Sequence, residues 1–421
     1  MAEAKPFEVP KHLVWEAYKR VKANRGAAGV DGQSLADFDK GLEGNLYKIW
    51  NRMASGSYFP PPVLFVEIPK GGGGMRPLGI PTVGDRIAQT VVKMVLEPIV
   101  EPHFHEDSYG YRPGKSAHDA IGVARKRCWR ANWVIDLDIK GFFDSLSHDL
   151  ILKAVVQHTD IPWIRLYISR WLCAPVELQD GTLEERTRGT PQGGVISPLL
   201  ANLFMHYAFD AWMVRSFPRI QFERYADDAV VHCVSEVQAR SVLKAIRKRL
   251  ADCGLELHPT KTKIVYCKDD DRRGDNDHVS FDFLGYTFQP RRARNRYGKF
   301  FVSFLPAVST KAAKAVRKTI REWRMASTRN NQSLDDLAKH MNPVVRGWTN
   351  YYGRFYRSKW KQVLRHVDRA LVAWACWKYR RFRRRERAAT HWLGRIAQRD
   401  PNLFAHWQLG VHPAAGTGGA G

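Results

Sequence analysis

Two adjacent acids, Asp227 and Asp228, stand between two apolar runs: Ile220-Gln221-Phe222 precedes Tyr225-Ala226-Asp227-Asp228, and Ala229-Val230-Val231 follows it. An apolar run, a short polar turn and a second apolar run predict a β-hairpin with the acids at its tip. Taken alone, such a pair is an ordinary turn former. A second acidic element lies upstream in Val134-Ile135-Asp136-Leu137-Asp138-Ile139. Side chains alternate along a strand, so Asp136 and Asp138 share one face while Ile135, Leu137 and Ile139 fill the other. Acids on a strand and acids on a hairpin suggest a site for a hard divalent cation such as Mg²⁺. That ion takes oxygen ligands, keeps several waters, and needs only a few carboxylates when substrate phosphates complete it. Two such ions, about 3.5–4 Å apart, stabilise both the attacking and the leaving oxygen of an in-line displacement. The pattern is that of a nucleotidyl-transferring palm.

The charge of the chain points the same way. Its 421 residues carry a formal net charge of +25, and the charge is unevenly spread. Between Arg291 and Arg387 there are 27 Lys and Arg against five Asp and Glu, which accounts for nearly all of the surplus. A near-neutral front part that carries the acids, followed by a very basic back part, reads as a catalytic body joined to a polyanion clamp. The six cysteines form no C-x-x-C pair, which argues against structural zinc and against a disulfide framework. No apolar run of 18 residues occurs, so no membrane partner is expected. A reducing, soluble compartment is expected instead.

The remaining organisation follows from periodicity and turn chemistry. Residues 10–24 and 34–55 predict helices, and Val63-Leu64-Phe65-Val66-Glu67-Ile68 a strand. The glycines 71–74 then lead to a returning strand at Leu78 and Ile80. No Gly-Lys-Ser/Thr follows these glycines, so they are not a P-loop. Thr82-Val83-Gly84-Asp85 opens a helix that should stop near Pro98. Ser197-Pro198 starts another helix after the loop Gly189-Thr190-Pro191-Gln192-Gly193-Gly194. In the back part, a helix opens at Ser309, Ser333-Leu334-Asp335-Asp336 starts a second, and a long helix should run from Ser358 to Arg385.

Several of these stretches, in their order along the chain, resemble the reverse transcriptase/maturase proteins encoded by group II introns. They are Ile68-Pro69-Lys70 through Arg76-Pro77-Leu78-Gly79-Ile80-Pro81, Tyr109-Gly110-Tyr111-Arg112-Pro113-Gly114, the Asp138 strand, the Gln192 loop, Tyr225 to Asp228, Thr260-Lys261-Thr262 and Phe283-Leu284-Gly285-Tyr286. The similarity runs from about residue 10 to about residue 400. It implies an α+β right-hand polymerase, with fingers and palm over residues 1–290 and an antiparallel sheet in the palm. A basic helical thumb/maturase domain would cover 291–390, and a short C-terminal region with a disordered Gly/Ala tail 391–421.

The resemblance also implies roles for single residues. Asp138, Asp227 and Asp228, with the Ile139 carbonyl, would hold two Mg²⁺ ions. Lys70 and Arg76 would contact the incoming deoxynucleoside triphosphate, Gln192 would lie against it, and Lys261 would serve the leaving pyrophosphate. Phe143 would place a ring beneath the sugar and exclude a 2′-hydroxyl. Arg112 would touch the template. Arg346, Trp348, Tyr351, Tyr352, Arg354, Arg380 and Arg381 interleave cations and aromatics in a way that suits structured RNA. The expected partners are group II intron RNA, an RNA template with a DNA primer, and a DNA target; the oligomeric state stays open. Fuller members carry a C-terminal zinc-dependent endonuclease, and none is expected here. Two alternatives remain: a splicing maturase in which polymerisation is secondary, and a domesticated reverse transcriptase in repair or defence.

Overall fold

The acidic hairpin forms around a two-residue turn, Ala226-Asp227, with Tyr225 paired to Asp228 across it. A computed structural model describes residues 5–69, 74–329 and 331–415. In chain order its strands are β1 (Val63–Pro69), β2 (Met75–Ile80), β3 (Trp133–Leu137), β4 (Val176–Glu177), β5 (Leu183–Glu184), β6 (Phe222–Tyr225), β7 (Asp228–Cys233), β8 (Lys263–Tyr266), β9 (Phe281–Phe283), β10 (Tyr286–Arg294) and β11 (Phe300–Val308). They form three sheets, ordered β2-β1-β4-β5, β6-β7-β3-β8 and β11-β10-β9. The chain divides into two compact units, Met1–Val265 and Tyr266–Gly421.

The central sheet of the first unit positions the acids. β3 runs antiparallel to β7, with Asp136 opposite Val230 and Leu137 opposite Ala229. Ile135, Leu137 and Ile139 are buried in one core with Val231, together with Val242, Ile246 and Leu250 of the helix Glu236–Asp252. Burial of each such side chain is worth about 1.5–3 kcal/mol, so the strand is fixed from beneath while Asp136 and Asp138 stay only half-buried. Asp138 lies just past the end of β3. The next residues are held to the loop 256–258: the Lys140 amide donates to the Glu256 carbonyl and the His258 amide to the Asp138 carbonyl.

Around this sheet the first unit is largely helical. Lys11–Ala23 packs on Val83–Val100. The expected helix 34–55 is broken at Gly41 into Leu35–Lys40 and Leu42–Ala54, because Gly41 leaves helical geometry at ψ 37°. The helix opened by Thr82 continues through Pro98 to Val100. A proline in the final turn forfeits one backbone bond and does not end the helix at once. Asp85 in its first turn is buried and accepts hydrogen bonds from the Tyr58 hydroxyl (2.8 Å), Trp171 Nε1 (2.7 Å) and Gln89 Nε2 (2.9 Å). Gln89 Oε1 in turn accepts the Val195 and Ile196 amides.

The second unit pairs the β11-β10-β9 sheet with the helices Thr310–Glu322, Leu334–Tyr352, Arg357–Lys378 and Glu386–Arg399 around their own core. The compact units meet at Val265, upstream of the expected domain boundary at residue 290. Arg291 to Arg294 belong to β10, which keeps an unbroken register with β11 from Tyr286↔Val308 to Arg294↔Phe300; a cut at 290 would sever it. The long helix ends at Lys378 and not at Arg385, and a short 3-10 turn, Arg380–Phe382, follows it. None of the six cysteines is joined in a disulfide among the described residues. Among the same residues no helix is long and apolar enough to cross a membrane. Lys70 and the tail 416–421 lie outside the described residues, as does the side chain of Arg76.

Candidate active site

The hairpin tip is held by a group that sequence reasoning missed. Arg224, the third residue of β6, is completely buried. Its guanidinium makes a two-pronged ion pair with Asp210 (Nε to Oδ1 2.7 Å, Nη2 to Oδ2 2.6 Å) and donates to Ser108 Oγ (2.8 Å), Asn202 Oδ1 (3.1 Å) and the Ala226 carbonyl (2.9 Å). Asp210 closes a widened π-type turn, His206–Asp210, which interrupts the helix begun at Ser197. Turns of this kind are inserted where a helix must re-aim a side chain. A charge removed from water is costly unless fully paired, and here every contact of Arg224 pins the turn. Ala226 has φ +59°, a conformation that costs a non-glycine residue about 1–2 kcal/mol, and the bond from Arg224 to its carbonyl helps hold it there. Gly110 packs beneath: a Cβ at that position would collide with the Ala226 backbone nitrogen and reach Tyr225 C at 3.0 Å.

With the hairpin so fixed, Asp138, Asp227 and Asp228 act on one another. Burial pushes the Asp228 carboxyl up to about 7, with the charges of Asp227 and Asp138 adding to the effect and Lys261 opposing it. Lys261 Nζ donates to Asp138 Oδ2 at 3.0 Å. The backbone bonds beside Ile139 are made by the Asp138 carbonyl and the Lys140 amide, and Ile139 itself faces Leu257 in an isolated bridge. The donor set is therefore all oxygen, with a surplus of negative charge that one lysine balances in part. Among the described residues no three His, Cys, Asp or Glu side chains converge as a finished cation cage.

The loop 189–194 ties β2 to residues 143–146. The Gly79 amide of β2 donates to the Gln192 carbonyl at 2.6 Å, the Thr190 amide to Phe143 O at 2.8 Å, and the Gly189 amide to Leu146 O at 2.7 Å. Gly193 sits at φ +116°, and a Cβ there would meet the Gly79 carbonyl at 2.5 Å, so only glycine permits this approach. Phe143 is buried at 8% exposure, edge-on to Phe142. Beside the loop is a cleft of about 210 Å³ lined by Phe65, Leu78, Asp144, Arg186, Arg188 and Gln192. The cations Arg186 and Arg188 were not assigned a role from sequence; their position just before the glycine loop was the available signal.

The expected nucleic-acid contacts fare unevenly. Arg112, expected at the template, has a side chain that is 6% exposed, is paired with Glu101 at 2.8 Å, and donates to the His105 and Ser108 carbonyls, so it braces the turn. Trp348 stacks on Trp323 at 5.6 Å. The Tyr351 hydroxyl donates to the Leu284 carbonyl, and Tyr352 packs against Tyr286 and Trp360. These three rings are half-buried and engaged with neighbours within the protein. Arg346, Arg354, Arg380 and Arg381 are exposed. Arg354 lines a cavity of about 340 Å³ with Arg357, Lys361 and Trp360.

Comparison with known proteins gives these features a family. Residues 68–288 match the reverse transcriptase (RNA-dependent DNA polymerase) family, and residues 313–392 match the group II intron, maturase-specific domain. The first match runs past the structural boundary at Val265 into β9 and β10. Protein YkfC of Escherichia coli K12 is 31% identical over 333 residues, covering 69% of this chain and 84% of YkfC. The group II intron-encoded protein LtrA of Lactococcus lactis subsp. cremoris is 32% identical over 242 residues, covering 56% of this chain and 39% of LtrA. The putative COX1/OXI3 intron 1 protein of Saccharomyces cerevisiae is 35% identical over 198 residues, covering 47% of this chain and 23% of that protein. The aligned region is thus well under half the length of the last two. The fold is a mixed α/β one in which a strand and a hairpin bring Asp138, Asp227 and Asp228 within one another's electrostatic reach. The chain belongs to the reverse transcriptase family, the RNA-directed DNA polymerases, in the form joined to a group II intron maturase-specific domain.

Proposed function

We propose that the chain copies RNA into DNA at Asp138, Asp227 and Asp228 and uses its basic second unit to bind intron RNA and assist its splicing. The observation that carries the polymerase reading is the geometry of the hairpin: Arg224 and Gly110 pin the turn that holds Asp227 and Asp228, and Asp228 is raised to about 7 by burial, with the charges of Asp227 and Asp138 adding to it. Such a cluster is relieved by a hard cation, and the three acids, with the Ile139 carbonyl, are the groups that would hold Mg²⁺. When bound, two such ions would supply charge for the attacking and leaving oxygens. The protein's own part is positioning. The Arg224–Asp210 pair fixes the hairpin, and the loop 189–194, bonded to Phe143 and to β2, would present Gln192 and Phe143 to the nucleotide. Lys261, 61% exposed and paired with Asp138, is able to turn toward a departing pyrophosphate as the acids are neutralised. Phe143 would sit under the sugar and favour deoxynucleotides. Lys70 and Arg76 would meet the triphosphate. The work would be done in the bacterial cytoplasm, on a DNA primer and, during mobility, a DNA target.

The test is extension of a DNA primer on an RNA template with Mg²⁺ and deoxynucleotides. Wild type should extend, and a double Asp227→Ala, Asp228→Ala variant that still binds RNA should not. If neither protein extends while both promote splicing of the flanking intron, the acids have no catalytic role and the chain works as a maturase alone. That second reading has its own support in the match over 313–392 and in the basic surplus of the same region.

A further inference from the structure

β10 and β11 form a long hairpin whose outer half is unusual in what it exposes. From Tyr286 to Val308 the sequence has Arg291, Arg292, Arg294, Arg296 and Lys299 and no Asp or Glu. The register places Arg294 opposite Phe300 and Arg292 opposite Val302. Side chains alternate, so these four share a face. The Arg292 guanidinium lies 4.3 Å from the Phe300 ring centre and that of Arg294 5.8 Å. Phe300 is nevertheless 55% exposed, and Tyr297, at the tip, 77% exposed with Arg296 at 4.7 Å. The tip is built to hold its shape: Asn295 Oδ1 accepts the Tyr297 and Lys299 amides, and Arg294 Nε donates to the Gly298 carbonyl. Its base is anchored to the helical part, since the Tyr356 hydroxyl donates to the Arg292 carbonyl at 2.8 Å and Arg291 lies over the Tyr356 ring.

We propose that this hairpin tip is a binding site for single-stranded RNA, with Tyr297 and Phe300 stacking unpaired bases and Arg292, Arg294, Arg296 and Lys299 contacting the phosphates between them. Exposed rings flanked by guanidinium groups suit bases whose faces are free, and a duplex presents no such faces. Charge complementarity excludes a basic partner. The choice of RNA rests on the maturase reading above, because Tyr356, which anchors the hairpin, lies within the segment matching the maturase-specific domain.

The experiment compares the full-length protein with a Tyr297→Ala, Phe300→Ala variant on fluorescent oligouridylate of about 12 nucleotides, on oligothymidylate of equal length and on duplex RNA. The variant should bind oligouridylate at least about 30-fold more weakly, given two lost stacks at about 1–3 kcal/mol each, and duplex RNA nearly as well as wild type. An Arg294→Gln, Arg296→Gln variant should reduce the slope of log affinity against log salt by about 1.4, at roughly 0.7 per phosphate contact on a single strand. A Tyr297→Trp, Phe300→Tyr variant keeps both rings and should restore binding, which separates stacking from any loss of fold. Unchanged affinity for oligouridylate, or equal losses on single strand and duplex, would overturn the proposal. Tighter wild-type binding to oligothymidylate than to oligouridylate would overturn RNA as the ligand. Primer extension and splicing report the broader reading and do not enter these ratios, so the two can fail separately.

Discussion

At the scale of the residue, the buried ionisable groups do most to define this molecule. Asp85 illustrates how a carboxylate can serve structure at some cost. It receives three donated hydrogen bonds, which favour its charged form, yet burial outweighs them and its pKa is raised. The unfolded value is about 3.9, so the folded state binds the proton more tightly. Stability from this group is fully present below that pH and is lost as pH rises through the folded pKa. Asn at this position does not titrate. The stability of wild type relative to Asp85→Asn should therefore fall from about pH 4 upward, by roughly 1.4 kcal/mol for each tenfold difference in proton affinity between the folded and unfolded chain, and then level off. Urea midpoints of both proteins across that range measure it. A difference that grows in favour of wild type with rising pH would mean that the three donors hold the charged form after all. Arg112 and Arg224 belong to the same scale. A guanidinium in a turn or strand reads from sequence as a surface charge, and only the folded neighbours Glu101 and Asp210 reveal that each is sequestered.

At the scale of the element, the hairpin is the feature whose form was most legible. Apolar runs on both sides of two acids required strand, turn and strand, and β6, Ala226-Asp227 and β7 are that. The acidic face of β3 was legible for the same reason, because period two admits one reading when Ile135, Leu137 and Ile139 must all be buried. What stayed hidden was contributed by other parts of the chain: Gly110 under the turn, Asn202 and Asp210 from a helix, and the break at Gly41. None of these alters a local period, so no window of sequence could report them. The strain at Ala226 leads to a paired prediction. Ala226→Gly removes the cost of φ +59° and should raise stability by about 1 kcal/mol, seen as a higher midpoint of thermal unfolding. Gly110→Ala drives a methyl group into the Ala226 backbone and should displace the acids, abolishing primer extension while RNA binding by the basic unit persists. Full extension by Gly110→Ala would mean that the hairpin tolerates movement and that its close packing is not what orders the site.

At the scale of the whole molecule, the division of charge is the property to explain. The acids that matter lie in Met1–Val265, while the surplus of Lys and Arg lies almost wholly in Tyr266–Gly421. Such a separation has a physical rationale. A site that concentrates carboxylates repels a polyanion, and a second unit rich in cations can hold that polyanion without quenching the acids, provided the two charge sets are kept on different frameworks. Binding and chemistry should then respond differently to salt. RNA affinity, governed by counterion release, should fall linearly on a log–log plot, and six to ten phosphate contacts would give a loss of about 10³–10⁵ between 50 and 200 mM salt. The turnover rate at saturating primer and template should change far less over the same range, because Asp138 and Asp228 are half-buried and Asp138 pairs with Lys261 at 3.0 Å, a distance at which screening is weak. Titrating affinity and turnover in parallel from low to high salt measures both. If turnover at saturation fell as steeply as affinity, the cations of the second unit would be acting in the chemical step itself, and the separation of clamp from catalyst would not hold.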